Sequence, residues 1–194
     1  MTSQKKNAAP RLKVLWATVC QTSLGWAGLA ASAYGVVASC SPRSTADEAT
    51  AALREAMVMP TLKSYYAEPQ WLPSDRGLPP HLAAAREAYD AYAGGRHGVL
   101  GGLQLDLRAH RPFTAAVLRS VYGIPAGRTK SYGEVAASIG HPGAARAVGQ
   151  VMARNPLAPI VPCHRVLGAG GELGGYSGGI GRKVELLRLE GASR

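Results

Sequence analysis

Cys163 stands in the run Pro162-Cys163-His164-Arg165-Val166, held between a rigid proline and an imidazole. A thiol reacts as its thiolate, and an adjacent histidine and a nearby cation bring the thiolate within reach near neutral pH. The apolar stretch Ile160-Val161-Pro162 before it also fits an inert buried cysteine, but such a residue needs neither His164 nor Arg165. Papain-like proteolysis is disfavoured, because the Cys-Gly-Ser-Cys-Trp context is missing and His164 adjoins the thiol in sequence. Along a strand, alternation would send the Cys163 and His164 side chains to opposite faces. A proton relay between them would then need a bend or a bridging water. Asn155-Pro156 precedes this run, and Tyr176-Ser177-Gly178-Gly179 follows it.

The elements around the thiol change character near residue 110. Residues 1–10 are polar and read as a tail. Val14–Val19 and Trp26–Ala33 read as strands across a Thr22-Ser23-Leu24-Gly25 turn, and Val36–Ser39 as a third. Ser44-Thr45-Ala46-Asp47 opens a helix running to about Met57, Pro60 to Pro80 reads mostly as loop, and Leu82–Ala93 is helical until Gly94-Gly95. Leu103–Leu107, alternating with Gln104 and Asp106, reads as a further strand. Together these predict a small α/β unit. From Pro112 onward short helices take over: Phe113–Tyr122, then one capped by Ser131 with Glu134, then a third from Ala144 to about Ala153 after the turn Gly140–Gly143. The last two outline a helix-turn-helix. Ala144, Ala145, Ala147 and Gly149 give the third helix a face of small residues beside Arg146. Such a face suits close approach to a groove floor and tight packing on another helix equally well.

The chain has 194 residues and a formal net charge of +10. Residues 95–194 hold 13 basic and 5 acidic side chains, a balance of +8, against 9 and 7 in residues 1–94, a balance of +2. A basic half beside a near-neutral one points to a polyanion, although a solvated basic surface reads the same. Phenylalanine is nearly absent, so an aliphatic, closely packed core is expected. Cys20, Cys40 and Cys163 form no close pair and no zinc-like spacing. No secretory leader or membrane-spanning run is recognisable, and a cytoplasmic location is expected.

The motif Pro162-Cys163-His164-Arg165-Val166, with Ala145-Arg146-Ala147-Val148-Gly149 before it and Tyr176-Ser177-Gly178-Gly179 after it, resembles the active-site signature of the O6-alkylguanine-DNA alkyltransferases. These are also called methylated-DNA–protein-cysteine S-methyltransferases. The resemblance runs from about Phe113 to Gly191 and includes Ile124-Pro125-x-Gly127, Ser131-Tyr132-Gly133 and Asn155-Pro156. It implies an α/β N-terminal domain over 11–108, a small sheet with helices in a ribonuclease-H-like roll. It also implies a mostly α C-terminal domain over 109–194 with a winged-helix-like helix-turn-helix.

The implied activity is DNA repair: single-turnover transfer of the alkyl group from O6-methylguanine in double-stranded DNA to Cys163. O4-methylthymine is left open as a further substrate. His164, through a bridging water, would take the thiol proton, and Glu190 would hold the imidazole, although Glu190 alone reads as a solvated charge at a helix end. Tyr132 would donate to guanine N3. The base must be flipped out, and Arg146 would fill its place while Ala145, Ala147 and Gly149 let the helix approach the groove. Asn155 would be a hinge. Tyr176 and Ser177 would border the base pocket, and the main-chain carbonyls of Cys163 and Val166 would accept the guanine amino group. Family members with a zinc site place it elsewhere than Cys20, Cys40 and His81, so no metal and no cofactor is expected. A monomer in solution is expected, with cooperative assembly on DNA left open. Two other readings remain: a non-catalytic binder that flags alkylated DNA, disfavoured because the cysteine is present, and a transcriptional role, disfavoured by the lack of a further regulatory domain.

Overall fold

The computed structural model describes residues 13–176 and 179–192; the tail at 1–10, Ser177 and Gly178 lie outside them. Three consecutive antiparallel strands, β1 (Trp16–Thr22), β2 (Gly25–Ser32) and β3 (Gly35–Ser39), form the heart of the N-terminal half. The first hairpin closes at Thr22 opposite Gly25, whose φ of +113° suits glycine; an added Cβ would also meet the Arg43 carbonyl at 2.5 Å. A short fourth strand, β4 (Gln70–Trp71), runs parallel to β1 and gives the order β3-β2-β1-β4.

Helix α1 (Ala46–Met57) starts at Thr45, whose hydroxyl accepts from the Glu48 N–H at 3.2 Å. It packs on β2 over Gly28, where any Cβ would come within 2.9 Å of Leu53. The stretch from Pro60 to Pro80 is mostly loop, as expected, and includes only the short α2 (Pro60–Lys63) and β4. Proline at a helix start loses nothing, and the N–H groups of Gln70 and Leu72 donate to the Leu15 and Ala17 carbonyls at 2.9 and 2.8 Å. Helix α3 (Pro80–Ala93) ends at Gly94. The strand expected at Leu103–Leu107 is not formed; Leu105 makes only an isolated bridge to Val36. A 3-10 turn at Val99–Gly102 precedes it, and Asp106 is drawn aside by hydrogen bonds from Ser32 (2.5 Å) and Arg108 (2.8 Å).

The C-terminal half is helical: α4 (Pro112–Tyr122), α5 (Tyr132–Ser138), α6 (Ala145–Ala153) and α7 (Ile180–Leu189). A two-stranded parallel ladder, β5 (Lys130–Ser131) with β6 (Val166–Leu167), ties them together. The small mixed sheet with helices and the helical second part agree with the expected class. A single cluster of buried side chains runs through both halves, from Leu29, Tyr89 and Tyr92 to Val117, Val148, Ile160 and Leu186. The aliphatic core expected from the lack of phenylalanine therefore also holds tyrosines. In that cluster the Tyr89 hydroxyl donates to the Cys40 carbonyl at 2.6 Å and the Tyr92 hydroxyl to Glu190 at 3.0 Å. Ser39 joins the halves directly, its N–H donating to the Pro156 carbonyl at 2.8 Å and its Oγ to that of Ala158 at 3.0 Å. Among the described residues no helix is long and apolar enough to cross a membrane.

Candidate active site

Cys163, His164 and Arg165 form one turn of 3-10 helix between Pro162 and β6. This corrects the expectation of strand alternation. In a tight turn the two side chains need not oppose one another, and no bend has to be added. Cys163 is only 5% exposed and His164 is fully buried. Burial pushes the Cys163 thiol above its ordinary value, while the Asn155 side chain, the Lys183 cation and the N–H groups of Cys163 and His164 pull it down. The resting sulfur is therefore a thiol, held among groups that favour the thiolate.

Helix α7 supplies the acidic partner. Lys183, Leu186, Leu187 and Glu190 recur at helical spacing and are all buried, so Glu190, which ends the helix, faces inward rather than into solvent. Its Oε1 lies 3.0 Å from His164 Nε2. Arg165 grips the same carboxylate with Nε on Oε2 at 2.7 Å and Nη2 on Oε1 at 2.8 Å, and its Nη1 donates to the Ile124 carbonyl. Tyr92, from α3, donates to Oε1 at 3.0 Å. Burial would raise the Glu190 carboxyl, but the hydrogen bonds from His164 and Arg165 hold it down at about 2. A carboxylate only accepts, so His164 Nε2 must carry the proton and Nδ1 the free lone pair. Nδ1 is buried and has no hydrogen-bond partner among the described residues. Burial also lowers the affinity of His164 for a second proton, which Glu190 partly restores. The ring is thus a neutral base with a fixed tautomer.

Ser131 caps α5 with a complete capping box: its Oγ accepts from the Glu134 N–H at 3.1 Å, and Glu134 Oε2 accepts from the Ser131 N–H at 2.6 Å. Ser131 also pairs with Leu167 in the β5–β6 ladder, and Lys130 with Val166. Tyr132, at the first helical position, is thereby carried alongside the cysteine turn. It is half-buried; desolvation and then the charge of Cys163 push its phenol up. Its ring lies 3.9 Å from where a Cβ on Gly149 would stand, and its hydroxyl 3.5 Å from the same point on Gly174. The phenol thus spans the space between α6 and the loop after β6. On α6, Val148 and Met152 are the buried residues, whereas Ala145, Ala147 and Gly149 stay partly exposed and Arg146 is exposed.

Asn155 donates from Nδ2 to the Val161 carbonyl at 2.8 Å and accepts from the Leu157 N–H at 3.0 Å, bracing the link between α6 and the cysteine turn. Val166 is buried, and its carbonyl accepts from Lys183 Nζ at 2.7 Å. The Cys163 carbonyl accepts from the Val166 N–H. Each oxygen keeps a second lone pair. Tyr176 is half-buried, and burial followed by Cys163 pushes its phenol up. Ser177 lies outside the described residues. Lys183 was not singled out from sequence. Its buried Nζ also donates to the Leu173 carbonyl, and the signal was its place seven residues before Glu190 on one helical face. In the sequence Arg165 is only a cation next to His164, and its clamp on Glu190 has no local signal.

Residues 112–192 match the family model described as the 6-O-methylguanine DNA methyltransferase, DNA binding domain. The methylated-DNA–protein-cysteine methyltransferase of Mycobacterium leprae is 48% identical over 120 residues, 62% of this chain and 69% of that protein. The protein of the same name from Mycolicibacterium paratuberculosis is 50% identical over 112 residues, 58% and 67% respectively. Among solved structures, that of Mycobacterium tuberculosis OGT in complex with DNA is 34% identical with a TM-score of 0.63, covering 90% of this chain and 92% of that one. The O6-methylguanine-DNA methyltransferase of Pyrococcus kodakaraensis is 27% identical with a TM-score of 0.64, covering 91% and 99%. The likeness thus extends through the N-terminal half as well as the thiol turn, and the chain belongs to the methylated-DNA–protein-cysteine methyltransferase family.

Proposed function

We infer that the protein repairs DNA by moving the alkyl group of O6-methylguanine onto Cys163, once per molecule. The observation that carries this is the Glu190–His164 hydrogen bond, which leaves a neutral, buried Nδ1 as base one residue from a buried thiol. Through a bridging water, Nδ1 takes the proton as sulfur attacks the alkyl carbon. The S–C bond forms, the C–O6 bond breaks, and the electron pair goes to the guanine ring. Tyr132 donates to N3, where part of that charge gathers. Glu190, already ionised, stabilises the imidazolium without taking its proton. The thioether has no easy leaving route, so the protein is consumed.

Double-stranded DNA carrying the lesion is the partner in this reading. Exposed Arg146 replaces the flipped base, and the uncovered small residues Ala145, Ala147 and Gly149 let α6 lie close to the groove. Val166 and Cys163 offer their remaining carbonyl lone pairs to the guanine amino group. Asn155 acts as hinge, and Tyr176 and Ser177 border the base. The finer fold assignment goes with it: a ribonuclease-H-like roll over 11–108 and a winged-helix-like helix-turn-helix, built on α5 and α6, over 109–194. The β5–β6 ladder and the Gly140–Gly143 turn support the second.

The test is to incubate the protein with duplex containing O6-methylguanine, digest with trypsin and weigh the Asn155–Arg165 peptide. A gain of one CH2 that Cys163→Ser abolishes is expected. An unchanged peptide despite tight binding would replace this reading with the flagging role.

A further inference from the structure

We propose that Tyr92 is a positioning residue of the alkyl-transfer site, the phenol through which the N-terminal half holds Glu190 and sets the basicity of His164. The proposal rests on Cys163 being the alkyl acceptor. Tyr92 is the penultimate residue of α3 and is 1% exposed. Its hydroxyl donates at 3.0 Å to Oε1 of Glu190, the same oxygen that His164 Nε2 meets at 3.0 Å and Arg165 Nη2 at 2.8 Å. With Arg165 Nε on Oε2, four donors share one carboxylate, about as many as its lone pairs accommodate. What Tyr92 and Arg165 draw from that charge is not available to His164.

A core tyrosine needs only some acceptor for its hydroxyl, and a carbonyl would do. Tyr89, one turn earlier on α3, takes that ordinary course on the Cys40 carbonyl. Tyr92 instead crosses to the other half of the chain and ends on the carboxylate that orients the base. Its ring is held on the N-terminal side, edge to face with Tyr89 (centroids 6.5 Å apart) and with His97 (5.4 Å). The phenol is therefore a fixed post against which the end of α7 is set. Among the described residues the charged and titratable groups around the pair are Arg165 and Cys163 on either side of His164 in the turn, Lys183 on α7, Tyr176 in the loop before α7, and Tyr89 and His97 against the Tyr92 ring.

Tyr92→Phe keeps the ring and removes only the donor. The Glu190 charge is then shared among fewer groups, so His164 binds a proton more tightly. In single-turnover transfer, the pH at which the rate falls by half on the acid side should rise by roughly 0.5–1 unit. Tyr89→Phe, which removes a hydroxyl from the same helix, should leave that midpoint where it is. The ring 15N resonances of His164, assigned through His164→Gln, should titrate with the same displacement in unreacted protein. An unmoved or lowered midpoint in Tyr92→Phe, or an equal rise in Tyr89→Phe, overturns the proposal. The 15N titration needs no alkyl transfer, so it decides the coupling even if Cys163 gains no CH2 in the wild type. That second result would remove the functional reading instead.

Discussion

The Glu190 carboxylate does two jobs with one charge: it orients His164 and it neutralises a buried Arg165. Burial favours its protonated form, yet the hydrogen bonds from His164 and Arg165 hold its folded-state value at about 2, against an ordinary 4.5. Because the folded value lies below the unfolded one, this stabilisation is complete above about pH 4.5 and is lost as pH falls toward 2. It amounts to on the order of 3 kcal/mol for a shift of that size. His164 acts in the same sense. Burial lowers its affinity for a proton, so charging it penalises the fold as pH drops below its unfolded value of about 6.5. Stability should therefore fall in two overlapping stages as pH drops. Glu190→Gln should lower stability at neutral pH, by leaving Arg165 buried and unpaired, and should flatten the stage below pH ~4.5. Urea unfolding from pH 7 to 3 reads both. A variant as acid-sensitive as the wild type would mean that other carboxylates, Asp106 first among them, govern the transition.

Among the elements, α5 is the one in which a single cap fixes both the start of the helix and Tyr132, the residue proposed to donate to guanine N3. Ser131 closes the capping box and pairs with Leu167 across the ladder that begins where the cysteine turn ends. Ser131→Ala should cost about 1 kcal/mol, as N-caps do. It should also slow transfer to free O6-benzylguanine several-fold, because Tyr132 is no longer held in place. Thr45→Ala removes the cap of α1, far from the thiol, and should cost a similar stability with the transfer rate unchanged. Equal slowing in both would assign the effect to general loosening. This cap was legible in the sequence, as were α1, α3, α4 and α6, since their signals are local: a hydroxyl and a carboxylate three apart, apolar residues at helical spacing, glycines at the end. Leu103–Leu107 was misread because its alternation is real but its partner is one residue of β3, and Asp106 turns aside to Ser32 and Arg108. The 3-10 turn at Cys163–Arg165 left no local mark either. Only the distant carboxylate of Glu190 gives His164 and Arg165 a reason to point the same way.

For the whole molecule, what the sequence concealed is how far the halves are joined. Ser39 on Pro156 and Ala158, and Tyr92 on Glu190, link residues 98 to 119 positions apart where a side chain makes the bond, and no periodic pattern records such pairs. The charge asymmetry was legible, since it needs only a count, and it places the basic balance in the half that bears α6. On that helix Arg146 is exposed beside residues too small to cover it, while Val148 and Met152 face the core. A side chain so placed has little to do in the isolated protein. Its contribution should appear only when a base has to leave a stacked duplex, at a cost of roughly a few kcal/mol that something must offset. Arg146→Ala should therefore leave thermal stability and reaction with free O6-benzylguanine nearly as in the wild type, while slowing repair of duplex O6-methylguanine by roughly tenfold or more, about 1.4 kcal/mol per decade. Placing the lesion opposite a mismatch, where unstacking is easier, should recover part of the loss. Equal losses on the free base and the duplex would move Arg146 from the groove to the pocket, and an unimpaired duplex reaction would leave the flipped base to be replaced by some other side chain.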